Sequence, residues 1–210
     1  MSPVAPPVLV LATLNRGKAR ELTALLGNVP FELRVLADYP GAVAPEETET
    51  TYRGNALLKA RAAAGLTGAW SLGDDSGLEV DALGGAPGLY SARYGGPGLD
   101  DAGRCGLLLD ALRDVPDAGR TARFRCVIAI VDPHGREWVV EGVAEGTIIR
   151  TPRGRNGFGY DPLFFYPPLG RTFAELSDAE KSDVSHRGRA AAAARGILGV
   201  AVAHPLSSGW

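Results

Sequence analysis

Aliphatic and polar stretches alternate along the first third of the chain. Residues 8–12 form an uninterrupted aliphatic run, which is the pattern of a strand buried on both faces of a sheet. A polar loop at residues 13–18 leads into residues 19–26, where leucines recur at the spacing of a helix. Residues 31–36 predict a second strand, and two threonines can cap a helix over residues 52–65. Strands and helices therefore alternate in this part of the chain.

The second half of the chain contains a longer alternating pattern. Every second residue is apolar over most of residues 120–132, and residues 133–136 supply a turn into a second strand at residues 137–149. These segments predict a long antiparallel hairpin. A leucine-containing segment after Asp100 and an alanine-rich segment at about residues 189–198 predict two further helices.

These elements predict an α/β fold with a mixed central β-sheet flanked by helices. No internal repeat, low-complexity tract or long linker divides the sequence. We therefore expect a single domain over residues 1–210, with two lobes around a cleft.

Composition and charge exclude several classes of function. The chain has 210 residues with a formal net charge of -2, which argues against a general electrostatic grip on nucleic acid. Its two cysteines indicate neither a disulfide framework nor a zinc site and fit a reducing cytosol. Residues 1–12 lack the pattern of a secretion signal, and the longest apolar run, residues 126–131, is too short to cross a bilayer. We expect a cytoplasmic protein with neither a nucleic-acid partner nor a membrane partner.

Two adjacent carboxylates, Asp74 and Asp75, are the most unusual chemical feature. Glycines flank them, and they follow a short, partly apolar segment, which predicts a strand ending in an acidic turn over residues 73–77. Such a turn leaves the carboxylate oxygens accessible to a hard metal ion such as Mg²⁺. The alternative is an ordinary surface turn, because Asp, Ser and Gly are common turn residues.

Polar residues near two helix starts offer groups that can bind phosphate. In residues 13–18, a hydroxyl, an Asn, a Lys and the helix N-terminal amides can converge on phosphate oxygens, although the glycine pattern of a Walker loop is missing. A second acidic segment, which includes Glu46 and Glu47, lies just ahead of the helix that carries Lys59. The alternative interpretation is a solvated turn and exposed surface lysines.

A glycine- and aromatic-rich segment at residues 151–162 suits a flat ligand. Glycines let the backbone approach such a ligand, and aromatic rings can stack on it, as they would on a nucleotide base. The alternative is a flexible surface loop with Phe158 and Tyr160 in the core. Further along, Ser185 can cap a helix with His186 and Arg187 in its first turn, where they can meet an anion or a base carbonyl.

Taken together, these segments resemble the non-canonical purine nucleoside triphosphate pyrophosphatases, also called inosine/xanthosine triphosphatases or the HAM1-like family. The resemblance spans nearly the whole chain, from Leu11 to Gly188. The segments that carry it follow the family's order and are ATLNRGK (12–18), EETETTYRGNALLKA (46–60), DDSGLEVDALGGAPGLYSARY (74–94), GFGYDPLF (157–164), AEL (174–176) and KSDVSHRG (181–188).

The resemblance implies a reaction and a cofactor. The expected activity is Mg²⁺-dependent hydrolysis of the small-molecule triphosphates ITP, dITP and XTP to the monophosphate and pyrophosphate, which cleanses the nucleotide pool of deaminated purines. The resemblance also implies a homodimer and a nucleotide-binding cleft. Adenine would be rejected by donors aimed at a 6-carbonyl, because a buried donor facing an amino group is left unpaired.

The resemblance also assigns roles to individual residues. Asp75 is expected to bind Mg²⁺ with Glu46 and to accept a proton from the attacking water. The residues expected to contact the triphosphate are Thr13, Leu14, Asn15, Arg16, Gly17, Lys18 and Lys59. Those expected to contact the rest of the substrate are Ser76, Phe158, Gly159, Tyr160, Asp161, Lys181, His186 and Arg187, with Phe158 stacking on the purine.

Two other classes of function are compatible with parts of this pattern. One is a nucleotide-binding module without turnover, against which the retention of the acids and lysines argues. The other is a Maf-like pyrophosphatase acting on a different modified base. Residues 185–187 argue against it, because they favour a 6-oxopurine. The choice between Glu46 and Glu47 as metal ligand, the role of Asp74 and the order of preference among ITP, dITP and XTP stay open at this point.

Overall fold

The computed structural model describes residues 5–203. Residues 1–4, which begin the segment that lacks a secretion-signal pattern, and residues 204–210 lie outside the described part. Within residues 5–203 the strands are β1 (Val8–Leu11), β2 (Glu32–Val35), β3 (Trp70–Val80), β4 (Thr121–Val131), β5 (Glu137–Ile148), β6 (Phe164–Tyr166) and β7 (Arg171–Thr172). The α-helices are α1 (Arg16–Leu25), α2 (Tyr52–Thr67), α3 (Asp101–Ala111), α4 (Asp178–Val184) and α5 (His186–Ala203).

The strands form one mixed sheet in the order β2-β1-β3-β4-β5-β6-β7. β1 is parallel to β2 and to β3, with Leu9 opposite Leu33 and Trp70. β6 is antiparallel to both β5 and β7. The predicted α/β fold with a mixed sheet is confirmed, and so is the hairpin of β4 and β5, which are neighbours joined by a short turn.

The structure corrects the predicted acidic turn. β3 does not end at Gly73 but continues for 11 residues to Val80, with Asp74 and Asp75 buried inside it. The strand continues because Leu78 and Val80, beyond the acids, have apolar core to pack against. The two carboxylates tolerate burial because each has a lysine partner.

Side-chain caps decide where the helices begin. α1 starts at Arg16, earlier than predicted, because the Asn15 side chain accepts a hydrogen bond from the Lys18 backbone at 3.0 Å. Ser185 caps α5 by accepting a bond from the Gly188 backbone at 3.0 Å, as expected. α4 was not predicted, although Ser177 and Glu180 form a capping box at its start.

The chain divides into two compact units. Within the described residues, the first contains residues 5–75, Val127–Glu141 and residues 190–203, and the second contains Ser76–Cys126 and Gly142–Arg189. In the first, Ala56 and Ala60 of α2 belong to one apolar cluster with Val127, Ala129 and Val131 of β4.

The second unit has an aromatic core. Phe124, Phe164 and Phe173 pack with ring centroids 4.7–5.8 Å apart. The single domain over residues 1–210 and the cleft between two lobes stay predictions. Within residues 5–203, no helix combines the length and the apolar character that a membrane span requires.

Candidate active site

One group of charged side chains lies in the first unit around the acids of β3. Lys18 of α1 is paired with Asp74 at 3.1 Å. Lys59 of α2 lies 3.4 Å from Asp75 and 2.7 Å from Glu47. The buried Asn55 amide also contacts Asp75. We name this set the acidic–lysine group; its members are Lys18, Glu47, Asn55, Lys59, Asp74 and Asp75.

Helix α2 can approach β3 closely because Gly73 has no side chain. A Cβ at Gly73 would lie 2.8 Å from the backbone nitrogen of Ala60 and would also clash with the carbonyl oxygen of Ala56. Asn55 and Lys59 are one helical turn apart and share a face of α2. Both therefore reach Asp75, and the Asn55 Nδ2 donates to Asp75 Oδ2 at 3.1 Å.

Burial and charge act in opposite directions on this group. Burial raises the pKa of Asp75, and the charges of Lys59 and Lys18 offset this only in part. Burial alone would lower the pKa of Lys59, but the carboxylates of Asp75, Asp74 and Glu47 outweigh it and raise the pKa. Lys59 therefore stays an ammonium at neutral pH, while Asp75 is a better proton acceptor than an exposed aspartate.

The donor set of the acidic–lysine group suits a hard cation. Glu47 and Asp75 already face one positive charge, the Lys59 ammonium, and all their donor atoms are oxygens. Among the described residues, no set of three or more His, Cys, Asp or Glu side chains is arranged to hold a metal by itself. Mg²⁺ needs no such cage, because it commonly binds one or two carboxylates together with substrate phosphates and water. The residues fit an ion that binds together with a phosphate ligand.

A second group lies in the second unit and is built around an aromatic ring. Phe158 is half-buried, with the Lys181 Nζ 5.0 Å and the Arg187 Cζ 5.7 Å from its ring centroid. Lys181 also donates to Asp161 Oδ2 at 2.6 Å, and Arg187 donates to the Ser76 hydroxyl at 2.9 Å. We name this set the aromatic–cation group; its members are Ser76, Phe158, Asp161, Lys181 and Arg187.

The backbone around Phe158 is held by a carboxylate and a glycine. The Phe158 N–H donates to Asp161 Oδ2 at 2.9 Å, so Asp161 holds both the ring's backbone and Lys181. Gly157 has a φ of 75°, and a Cβ there would collide with the Asp161 carboxylate. Only glycine at position 157 permits this compact turn.

Three other residues predicted for the base-binding region have mainly structural contacts. The Tyr160 side chain lies in the core and its hydroxyl donates to the Ser91 carbonyl at 2.9 Å. The Gly159 N–H donates to Asp101 of α3 at 2.7 Å. His186 is buried and stacks on Phe124 with centroids 4.7 Å apart. Of the two sequence interpretations of this segment, the core placement therefore describes Tyr160 and not Phe158.

The residues predicted for the phosphate loop are divided between loop and helix. The buried Thr13 hydroxyl accepts from the Asn15 backbone at 3.1 Å, while Leu14 is 45% exposed. Arg16, Gly17 and Lys18 form the first turn of α1. Glu46, the predicted metal ligand, is exposed, whereas its neighbour Glu47 shares Lys59 with Asp75.

Comparison with known proteins identifies the family of the chain. The model of the Ham1 family matches residues 9–196. The chain belongs to the Ham1 family. It is 51% identical over 190 residues to the dITP/XTP pyrophosphatase of Desulforamulus reducens, covering 90% of this chain and 94% of that protein. It is 50% identical to the dITP/XTP pyrophosphatase of Geobacter sulfurreducens, covering 91% and 96%.

A solved structure shows the same fold. The structure of a HAM1 protein from Coxiella burnetii matches with a TM-score of 0.84 and 42% identity, and the match covers 91% of this chain and 98% of that one. The strand order and the helices described above are therefore those of a Ham1-family protein.

Sequence reasoning missed one residue of the acidic–lysine group. Asn55 is 1% exposed and contacts Asp75, but it was not among the predicted site residues. Its spacing was the available signal, because a polar Asn four residues before Lys59 lies on the same helix face. A polar amide on a helix face that also carries buried alanines indicates a buried hydrogen-bond partner.

Proposed function

We propose that the protein hydrolyses ITP, dITP and XTP to the corresponding monophosphate and pyrophosphate. The enzyme class, a nucleoside triphosphate pyrophosphatase, follows from membership of the Ham1 family and from relatives of that name at about half identity over nine-tenths of the chain. The observation that carries the chemistry is the pair of adjacent buried carboxylates in β3, each with its own lysine.

The acidic–lysine group binds the triphosphate. Lys18 and Lys59 supply two ammonium groups, and Lys18 lies in the first turn of α1, where the helix dipole also favours an anion. On substrate binding, each lysine exchanges part of its contact with a carboxylate for a phosphate oxygen. Thr13 and Asn15 hold the start of α1 in place through their side-chain hydrogen bonds.

Charge balance supports a divalent cation in this group. Two lysines face three carboxylates, so they cannot also neutralise a triphosphate. Asp75, together with Glu46 or Glu47, would hold Mg²⁺, and the shared contact of Glu47 and Asp75 with Lys59 favours Glu47. When bound, Mg²⁺ would neutralise charge on the triphosphate and on the pyrophosphate leaving group.

Asp75 accepts the proton of the attacking water. The water oxygen forms a bond to the α-phosphorus, the bond from that phosphorus to the bridging oxygen breaks, and pyrophosphate leaves. The proton released by the water moves to the Asp75 carboxylate, whose pKa is raised by burial. Lys59 stabilises the charge that develops on the phosphate oxygens.

The aromatic–cation group binds the purine. The Phe158 ring offers a face for stacking, and Lys181 and Arg187 supply only donors. A 6-carbonyl accepts from such donors, whereas the 6-amino group of adenine would leave them unpaired. Ser76 and Asp161 hold the two cations by direct hydrogen bonds.

The proposal also includes the oligomeric state and the cellular role of the protein. Family membership supports a homodimer that removes deaminated purine nucleotides from the pool, and a chain with only two cysteines suits the cytoplasm.

A substrate panel tests the proposed function. Purified protein with Mg²⁺ is expected to release pyrophosphate from ITP, dITP and XTP with a kcat/KM at least about 100-fold above that for ATP, whose 6-amino group leaves the donors unpaired. Chelation of Mg²⁺ is expected to abolish turnover. Release of orthophosphate, or equal rates with ATP, would refute the proposal.

A further inference from the structure

Asn55 uses both ends of its side-chain amide. Its Nδ2 donates to Asp75 Oδ2 at 3.1 Å, and its Oδ1 accepts from the Glu49 backbone at 3.1 Å. The residue is 1% exposed and lies in the first turn of α2. One short side chain therefore connects β3 to the loop that precedes α2.

The orientation of this amide follows from its partners. The Glu49 N–H can be met only by the carbonyl oxygen of Asn55. A flipped amide would place its NH₂ against that N–H and its oxygen against the Asp75 carboxylate, so both contacts would become repulsive. Nδ2 therefore faces Asp75.

Asn55 restrains Asp75 more tightly than Lys59 does. The Lys59 ammonium is at the end of a long side chain and is closer to Glu47, at 2.7 Å, than to Asp75, at 3.4 Å. Asn55 has only two side-chain torsions and is held at its other end by the backbone of Glu49. Lys59 can turn toward a ligand while the Asp75 carboxylate keeps its orientation.

The same amide also sets the position of the acidic loop. Glu49 is two residues from Glu47 and three from Glu46, the two acids considered as ligands. A displacement of Asn55 would therefore change the spacing between those acids and Asp75 together.

We propose that Asn55 is a positioning residue, which orients the Asp75 carboxylate and fixes the spacing between Asp75 and residues 46–49. This role rests on the proposed function of Asp75. Partners that orient catalytic carboxylates and metal ligands typically contribute about 10- to 100-fold in activity or affinity.

Two substitutions separate the two contacts of Asn55. Asn55→Asp keeps an oxygen that accepts from Glu49 but replaces the donor to Asp75 with a carboxylate that repels it, whereas Asn55→Ala loses both contacts without adding a charge. With ITP at saturating Mg²⁺, both variants are expected to lose about 10- to 100-fold in kcat with little change in KM. Hydrogen exchange at the Glu49 amide should match the wild type in Asn55→Asp and accelerate in Asn55→Ala.

Thr51→Ala is the matched control on the same helix. It removes the cap in which the Gly54 N–H donates to the Thr51 hydroxyl oxygen at 3.0 Å, and so destabilises α2 without touching Asp75. It should lower thermal stability and leave kcat within about twofold. Wild-type kcat in Asn55→Asp, or an equal loss in Thr51→Ala, would overturn the positioning role.

An NMR measurement tests the contact without turnover. The side-chain amide protons of Asn55 should exchange with solvent more slowly in the wild type than in Asp75→Ala, because the carboxylate holds them. Equal exchange would overturn the inference even in an active enzyme. Slow exchange in a protein that does not hydrolyse ITP would refute the proposed function and leave the contact between Asn55 and Asp75 established.

Discussion

The acidic–lysine group and the aromatic–cation group each contain two cations, but those cations have different partners. In the first, Lys18 and Lys59 face the carboxylates of Asp74, Asp75 and Glu47. In the second, Lys181 and Arg187 lie over the Phe158 ring. Negative charge therefore exceeds positive charge in the first group, and the reverse holds in the second, where Asp161 is the carboxylate.

This difference in charge indicates that the two groups bind different parts of a ligand. A group of opposed charges can redistribute its contacts when a phosphate and a divalent cation bind, and it can take up a proton. A ring with cations near its face suits a flat, uncharged base with a carbonyl at its edge. We expect substitutions in the first group to change the rate of turnover, and substitutions in the second to change substrate binding.

The largest effect should come from Asp75→Asn. The substitution keeps the volume of the side chain but removes the proton acceptor, so kcat for ITP should fall about 10²- to 10⁴-fold. The fold should persist, because Lys59 keeps its 2.7 Å contact with Glu47. Steady-state kinetics and a thermal melt measure the two quantities. Substantial activity in a well-folded variant would mean that the proton acceptor is elsewhere.

Asp81→Asn is the matched control for Asp75→Asn. Asp81 directly follows β3 and pairs with Arg123 at 2.9 Å, but it is exposed and lies outside both groups. Because exposed ion pairs contribute little, kcat should stay within about twofold of the wild type. A large loss in Asp81→Asn would show that the strand as a whole, and not the Asp75 carboxylate, limits turnover.

Phe158→Leu should have the next largest effect and should act on binding. Stacking of a base on an aromatic ring contributes about 1–3 kcal/mol, which corresponds to a KM for ITP raised roughly 5- to 150-fold. The kcat should change much less. Phe165→Leu is the control, since Arg153 lies 5.3 Å from its ring centroid in a similar contact outside the group. A fall in kcat at unchanged KM would contradict the division of work between the groups.

Apolar periodicity predicted the parts of the fold that depend on local pattern. The run at residues 8–12 predicted β1, and the alternation at residues 120–149 predicted the β4–β5 hairpin. Both could be predicted because the order of apolar and polar residues in a strand shows which of its faces is buried. Short elements such as β7, with two residues, carry too few positions to show a period. They form because the sheet already present offers an edge to pair with.

The candidate site shows where local reasoning fails. The glycines and acids of residues 73–77 have the composition of a turn, yet they continue a strand because Leu78 and Val80 pack into the core and lysines from distant helices pair with the buried acids. The role of Asn55 was missed for the same reason, since its partner is 20 residues away. Lys18 and Phe158 could be predicted as site residues because the types and order of the motif residues, and not their contacts, mark them; their roles stay predictions.

The smallest effect on activity should come from Asp132→Asn. This substitution tests whether every buried carboxylate of the first unit takes part in catalysis. Among residues 5–203, the donors to the Asp132 carboxylate come from its own turn: the backbones of His134 and Arg136, each at 2.9 Å, and the Arg136 side chain at 2.6 Å. Burial alone would raise the pKa of Asp132, but these donors outweigh it and lower the pKa below its ordinary value of 3.8. Because a neutral Asn accepts more weakly, the variant should lose about 1–2 kcal/mol of unfolding free energy at pH 7 while kcat stays unchanged.

The pH dependence gives this last prediction its sign. The pKa of Asp132 is depressed in the folded protein, so its stabilisation is complete above the unfolded value of 3.8 and is lost as the pH falls through the lower folded value. Urea denaturation of the wild type and Asp132→Asn between pH 3 and 7 should show a constant difference near neutrality that narrows in acid. A difference in unfolding free energy that widened in acid, or a loss of kcat in Asp132→Asn, would contradict the prediction. Asp132 would then resemble Asp75, whose pKa is raised and which is proposed to act in turnover. Asp75 contacts Asn55 and Lys59 of α2, whereas the Asp132 carboxylate accepts from its own turn. Of these two buried carboxylates, we therefore expect only Asp75 to affect kcat.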